Sequence, residues 1–405
     1  MMYISRHIES RILKIKEMFK VLLITGPRQV GKTTTLKYLF GDSYEYVTLD
    51  DITELEIAKN DPKLFFLNHT LPLIIDEVQL APHLFHEIKR IVDETETYGK
   101  IILTGSQTFH LMQNITETLA GRIGILEFSG LSFREISGDQ YLLPFIPNDA
   151  YIKEKRNIKD IDLWKIIHRG GMPELYKKDE IEWQLYYASY VRTYIERDVR
   201  SLLNVKNLDT FSKFIVSIAA RTGQLLNYTN ISNDIGVDIK TIQSWVKVLE
   251  ASGMISIVKP FKNNTLKRTI ETPMIYFLDT GLVCYLLKWN TKETLQNGAM
   301  SGPMLETFAV SEIIKSFKNN GYLDIPIYFY RDKDMKEIDI IIEHDGFLYP
   351  VEIKKTMNPD ASMAKSFKVL HQALGFTVFN EMILCLIEKR VFIKEHLVAY
   401  PIREI

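Results

Sequence analysis

The sequence predicts an α/β protein in four parts, and three observations carry that prediction. Short apolar runs alternate with helical patterns over the first third. Three helical segments and two short strands fill 207–290, and the last hundred residues return to strands after one long helix. VLLITG (21–26), YEYVTLD (44–50), LPLIID (71–76) and KIILTGS (100–106) read as buried parallel strands. Between the last two, Leu84, Ile88 and Ile91 fall on one helical face, as expected for a sheet covered on both sides. This core spans 1–150. A helical lid follows over 151–205, interrupted by Gly170, Gly171 and Pro173.

In 206–295, Phe211, Phe214, Ile215 and Ile218 mark a first helix, and a second starts near Tyr228 and stops at Gly236. A third carries Ile242, Val246 and Leu249 inward, with Gly253 closing it. ISIVKP and MIYFLD, separated by a basic, Asn-rich loop, complete the pattern of a winged helix-turn-helix. The final part, 296–405, reads as a helix around 305–318 followed by strands at IYFYRD, EIDIIIE, FLYPVEIKK and MILCLI.

At 405 residues, 46% apolar and 25% charged, the chain has the composition of an ordinary multidomain globular protein. No run approaches the roughly 18 apolar residues of a membrane span. The basic start MMYISRHIESRILKIKEMFK lacks the apolar segment of a signal peptide. Cys284 and Cys385 lie in apolar surroundings, which excludes a disulfide framework or a cysteine zinc site. A cytoplasmic protein without a membrane partner is expected. The net charge of −1 gives no reason to expect a polyanion, although six basic residues and one acid, Glu250, lie between Lys240 and Arg268.

Gly26-Pro27-Arg28-Gln29-Val30-Gly31-Lys32-Thr33 fits G-x-x-x-x-G-K-[ST] between an apolar strand and the helical run TTTLKYLF, in which Thr34 is the second residue. Such a loop curls so that backbone N–H groups and the helix N-terminus face phosphate. Lys32 then supplies a cation to the β- and γ-phosphates of ATP, and the Thr33 hydroxyl is placed on Mg²⁺. LPLIIDE ends a strand in Asp76 and Glu77. The first carboxylate orients the Mg²⁺ and the second polarises an attacking water. Thr104, Ser106 and Gln107 end a further strand, where either a γ-phosphate sensor or a simple strand cap belongs.

GPRQVGKTT, LDD (49–51), IIDEVQ, LTGSQ, LAGRIG (119–124) and GGMPE (170–174) together resemble a family of ATPases of the AAA class whose C-terminal region has no known function. The resemblance spans nearly the whole chain. It implies a P-loop AAA-type ATPase core with ATP and Mg²⁺ as cofactors, and it is compatible with an oligomer. Arg122 matches the family's Gly-Arg and is the first choice for a charge-stabilising arginine, acting in cis or in trans. Arg28 is the second choice.

In EIDIIIEHDGFLYPVEIKK, Asp345-Gly346 signals a two-residue hairpin that pairs His344 with Phe347 and sets Asp339 opposite Glu352. Lys354 shares their face, because strand side chains alternate. Facing carboxylates repel unless a cation lies between them. Asp–x₁₂–Glu–x–Lys resembles the PD-(D/E)xK nuclease fold, although Ile338 stands where that pattern often has proline. The resemblance implies a metal held by Asp339, Glu352 and Glu306, with Lys354 assisting the water. The expected function is an ATPase whose nucleotide cycle controls DNA binding or cleavage by the winged helix and C-terminal parts. The alternative is a nucleotide switch that binds protein partners and carries an inactive nuclease-like domain. Trp183, Tyr186, Tyr187, Tyr190 and Tyr194, near Arg192, Arg197 and Arg200, fit helix packing better than base stacking.

Overall fold

The structure is a computed structural model of the chain and describes residues 3–106, 118–178, 181–193, 208–263, 266 and 269–405. The four apolar runs of the first third form the parallel strands β1 (Val21–Thr25), β2 (Glu45–Thr48), β3 (Leu73–Asp76) and β4 (Ile101–Gly105). A fifth, β5 (Ile123–Glu127), is not among the runs picked out by sequence and is defined by its parallel pairing with β1. The order β2-β3-β4-β1-β5 puts β1 in the sheet interior, with Leu22 and Ile24 in one core and Val21 and Leu23 in the other. A Cβ at Gly124 would lie 2.4 Å from Ile15 of the helix Glu9–Met18, so that helix lies on β5 at a distance only glycine allows.

The segment after the first sheet contains the helices Leu163–Arg169 and Trp183–Tyr190. Trp183, Tyr187 and Tyr190 are buried, which accounts for their helical spacing by packing. Tyr194, Arg197 and Arg200 lie outside the described residues. Next come the helices Leu208–Ala219, Tyr228–Ile235 and Ile239–Ala251, with β6 (Gln224–Leu225), β7 (Ile255–Pro260) and β8 (Met274–Phe277). β8 runs antiparallel to both β6 and β7. Asp238 caps the third helix through the Thr241 N–H, and Gly253, at φ 70°, takes the left-handed position beyond its end.

The part beginning at 296 shares one sheet with the part before it. β7 pairs in parallel with β9 (Ile327–Arg331) through Lys259–Tyr328 and Pro260–Phe329. One sheet therefore runs on through β10 (Glu337–His344) and β11 (Phe347–Ile353), with β12 (Thr377–Val378) joined to β11. β13 (Glu381–Cys385), β14 (Val391–Lys394) and β15 (Leu397–Pro401) complete it. The helix Ser301–Lys318 is buried along most of its length, and one hydrophobic core extends from Leu22 and Ile24 through Phe133 and Phe308 to Ile340. Only long-range pairing decides this, because the local patterns on either side of 296 are complete by themselves. Cys284 and Cys385 are buried and free.

Candidate functional site

The phosphate loop lies between β1 and the helix Lys32–Phe40, at the carboxyl ends of the strands where parallel sheets present their crevices. Gly26 has φ 137°, and a Cβ there would meet the Phe128 carbonyl oxygen at 2.3 Å. Gly31, at φ 95°, opens the helix in a conformation that side chains avoid. Lys32 Nζ donates to the carbonyls of Gly26 (2.9 Å) and Pro27 (2.7 Å), so its ammonium rests on the loop itself. Burial lowers its pKa to about 8, against the opposing pull of Glu77 and Asp76.

Thr33 Oγ1 donates to Asp76 Oδ2 at 2.8 Å. Two oxygen donors at this separation fit a hard cation such as Mg²⁺, which supplies charge neutralisation to bound phosphates. Asp76 also accepts from the Tyr46 hydroxyl at 2.7 Å and from Thr104. Three hydroxyls thus orient one carboxylate. Glu77 follows in the left-handed region (φ 55°, ψ 42°), and its carboxylate accepts from Gln79 and, at 3.2 Å, from Ser106. Ser106 therefore faces Glu77 within the site, while Gln107 lies outside the described residues. Arg28, Gln29, Lys32, Thr33, Thr34 and Glu77 line a cavity of about 850 Å³ together with Pro173, Tyr186 and Tyr190.

Two parts of this site escape motif reading. Tyr46 is an ordinary aromatic in a strand pattern, and only the β2–β3 pairing brings it beside Asp76. Arg6 is buried behind the loop, where Nη1 donates to Val30 O (2.7 Å), Nη2 to Ser129 O (2.7 Å) and Nε to Glu135 (3.1 Å). Glu135 is held below the ordinary carboxylate range: burial opposes its charge, but Arg6, His7 and two backbone N–H donors outweigh it.

Arg122 lies at the other end of the sheet from the loop of its own chain. Its carbonyl accepts from Val21 N–H at the start of β1, whereas the loop follows the strand's other end. At about 3.3 Å per strand residue, five residues separate the two levels by about 15 Å. Its guanidinium instead pairs with Asp93 at 2.5 Å, where the hydrogen bond raises the arginine's affinity for its proton.

In the second sheet, Asp345 (φ 50°) and Gly346 (φ 79°) form the turn, and the ladder runs from His344–Phe347 to Ile340–Val351. The next step sets Asp339 opposite Glu352. The register against β9 shifts between Ile338 and Ile341, an interval that contains Asp339, and such irregularities re-aim side chains. Lys354 Nζ lies 3.2 Å from Asp339 and also contacts Glu352, so both carboxylates share one face. Asp339 additionally accepts Ile353 N–H at 2.7 Å. Glu306 receives the Tyr276 hydroxyl at 2.7 Å.

Burial first, and Asp339 second, push Glu306 and Glu352 above the ordinary carboxylate range. Lys354 is held above the ordinary lysine range, because Asp339 and Glu352 together outweigh its burial. The oxygen donors fit a hard cation in kind, but the ammonium occupies the space between two of them. Among the described residues no group of three or more His, Cys, Asp or Glu is arranged to hold a metal ion.

A pH dependence follows. Because both are raised, just above the ordinary carboxylate range the folded chain holds protons on Glu306 and Glu352 that the unfolded chain has released. Stability therefore falls as pH rises through that window. Without divalent cation, the thermal midpoint measured from pH 5 to 9 should decline, and Glu352→Gln should flatten the decline.

Comparison with known proteins agrees with the loop geometry. Residues 18–137 match a family model described as an AAA domain. Residues 160–293 and 301–405 match two models described as domains of unknown function, DUF8612 and DUF4143. An uncharacterized protein of Mycobacterium tuberculosis is 27% identical over 362 residues, covering 88% of this chain and 75% of that one. An uncharacterized protein of Haemophilus influenzae is 22% identical over 370 residues, 84% of each chain. Among solved structures, the Walker-type ATPase of Pyrococcus abyssi shares 15% identity at a TM-score of 0.41, over 70% of this chain and 96% of that one. No helix among the described residues is long and apolar enough to cross a membrane. Residues 18–137, which include the loop that closes with Gly31, Lys32 and Thr33, are thus similar to an AAA domain.

Proposed function

We propose that this chain binds ATP with Mg²⁺, hydrolyses it, and uses nucleotide occupancy to control how its C-terminal carboxylate cluster meets DNA. One observation carries the reading. Arg6 ties the loop carbonyl of Val30 to the segment 129–135, and that segment is bonded to the helix that carries Glu306. On that helix Glu312 accepts Phe133 N–H at 2.6 Å, and Lys315 donates to Leu131 O at 3.1 Å. Pro27 also abuts the turn after the third helix, with its ring 3.0 Å from where a Gly253 Cβ would lie. Phosphates compete for the ammonium that now holds the Gly26 and Pro27 carbonyls, so binding alters contacts at both junctions.

The winged-helix reading assigns Lys247 and Lys262, both exposed, to DNA phosphates. Its other two cations, Lys267 and Arg268, lie outside the described residues. A second reading, a nucleotide switch for protein partners, is favoured by Lys354 lying between Asp339 and Glu352, as in an inactive cluster.

Incubation of the pure chain with DNA and Mn²⁺, with and without ATP, separates the two. The first reading expects DNA binding with a salt slope that flattens by about 0.9 per neutralised phosphate contact, as in Lys247→Ala and Lys262→Ala. It also expects Asp339→Ala to remove any cleavage. Absence of binding at low salt supports the protein-partner switch.

A further inference from the structure

The run IIDEVQ contains one polar side chain that the phosphate chemistry leaves without a task, Gln79. Its amide lies two residues beyond Glu77, in the short turn Val78–Leu80 that leaves β3. Gln79 Nε2 donates to Glu77 Oε2 and reaches Ser106 Oγ at 3.5 Å, while Ser106 Oγ donates to the same Glu77 oxygen at 3.2 Å. The Gln79 amide and the Ser106 hydroxyl thus close a triangle with one Glu77 carboxylate oxygen. The amide orientation follows from charge, since the reverse assignment would put the carbonyl against the carboxylate.

Two costs accompany this arrangement. Glu77 holds a left-handed backbone (φ 55°, ψ 42°) that non-glycine residues seldom adopt. The Gln79 carbonyl oxygen Oε1 is buried with no hydrogen-bond partner among the described residues. A strained residue and an orphaned acceptor two positions apart are features that packing alone removes, and they persist where a site requires them. Glu77 itself lines the cavity with Lys32 and Thr33, so its carboxylate faces the place where phosphates bind.

We propose that Gln79 is a positioning residue for hydrolysis: it holds the Glu77 carboxylate, together with Ser106, in the orientation from which Glu77 accepts a proton from the attacking water. Gln79 touches neither nucleotide nor water and acts only through Glu77. The inference rests on the ATPase reading above.

The test uses the full chain and three variants, Glu77→Gln, Gln79→Met and the double variant. Methionine keeps the side-chain volume and removes both the donor and the orphaned carbonyl. Gln79→Met should therefore retain ATP binding within about twofold and a thermal midpoint no lower than wild type. Its kcat should fall about tenfold or more, as expected when a general base loses its orientation. The double variant should turn over no more slowly than Glu77→Gln, because an effect transmitted through Glu77 disappears with it.

Wild-type turnover in Gln79→Met, or a further loss in the double variant, overturns the positioning role. A lowered midpoint with parallel loss of binding would make Gln79 a packing residue and overturns it equally. If Glu77→Gln itself hydrolyses ATP at the wild-type rate, the ATPase assignment of Glu77 fails and the inference falls with it. A slow Glu77→Gln beside a fast Gln79→Met sinks the inference alone.

Discussion

Lys32→Ala should abolish ATP binding or turnover, and Glu77→Gln should keep binding while losing hydrolysis. The lysine is buried, 7% exposed, and its ammonium already lies against the Gly26 and Pro27 carbonyls. Its removal takes the fixed cation from the loop that faces the transferred phosphoryl group. Losing one preorganised group that stabilises transition-state charge costs about 10²–10³ in rate. The glutamine replacement keeps the shape and the Ser106 contact but cannot take a proton, so a loss of about 10²–10⁴ in kcat is expected. Nucleotide retention and phosphate release, measured on both variants, check the pair. Retained turnover in Lys32→Ala would remove the loop from the chemistry.

Arg6→Ala should be the most damaging single change to the architecture. Its guanidinium joins Val30, Ser129 and Glu135 while stacking 4.7 Å over the Phe128 ring, and both Arg6 and Glu135 are nearly inaccessible. Removing the cation strands a buried carboxylate, a loss of about 3–5 kcal/mol when a buried pair is broken from one side. Glu135→Gln should be milder, because the amide carbonyl can keep the Arg6 and His7 N–H donors on one oxygen and loses only the Ser132 N–H bond to the other. Denaturant unfolding of both variants, read beside nucleotide binding, checks the order. Equal losses would show that the guanidinium's carbonyl contacts, rather than the stranded charge, carry the effect.

The features legible in the chain are those whose partners lie a few residues apart. The turn at Asp345-Gly346 sets the β10–β11 register by its own backbone, and the side-chain period of two then brings Asp339, Glu352 and Lys354 to one face. The loop from Gly26 to Thr33 is likewise a local object, in which glycine positions, the lysine and the helix start are fixed by covalent spacing. Asp76 is legible as the acidic end of an apolar strand, though not its hydroxyl partner Tyr46, which depends on β2 lying beside β3.

The sequence by itself thus determined the phosphate loop, the acidic strand end and the hairpin, because short covalent connections leave each of them little conformational choice. Tertiary structure alone decided the rest. It placed Arg122 at the far end of β5 against Asp93, buried Arg6 behind Val30, and fused the third and fourth parts through β7 and β9. It also set the ammonium of Lys354 where a cation would otherwise lie between Asp339 and Glu352. Each of these joins groups through strand pairing or burial, whose free energy depends on the whole packed core and leaves no period or spacing in the chain.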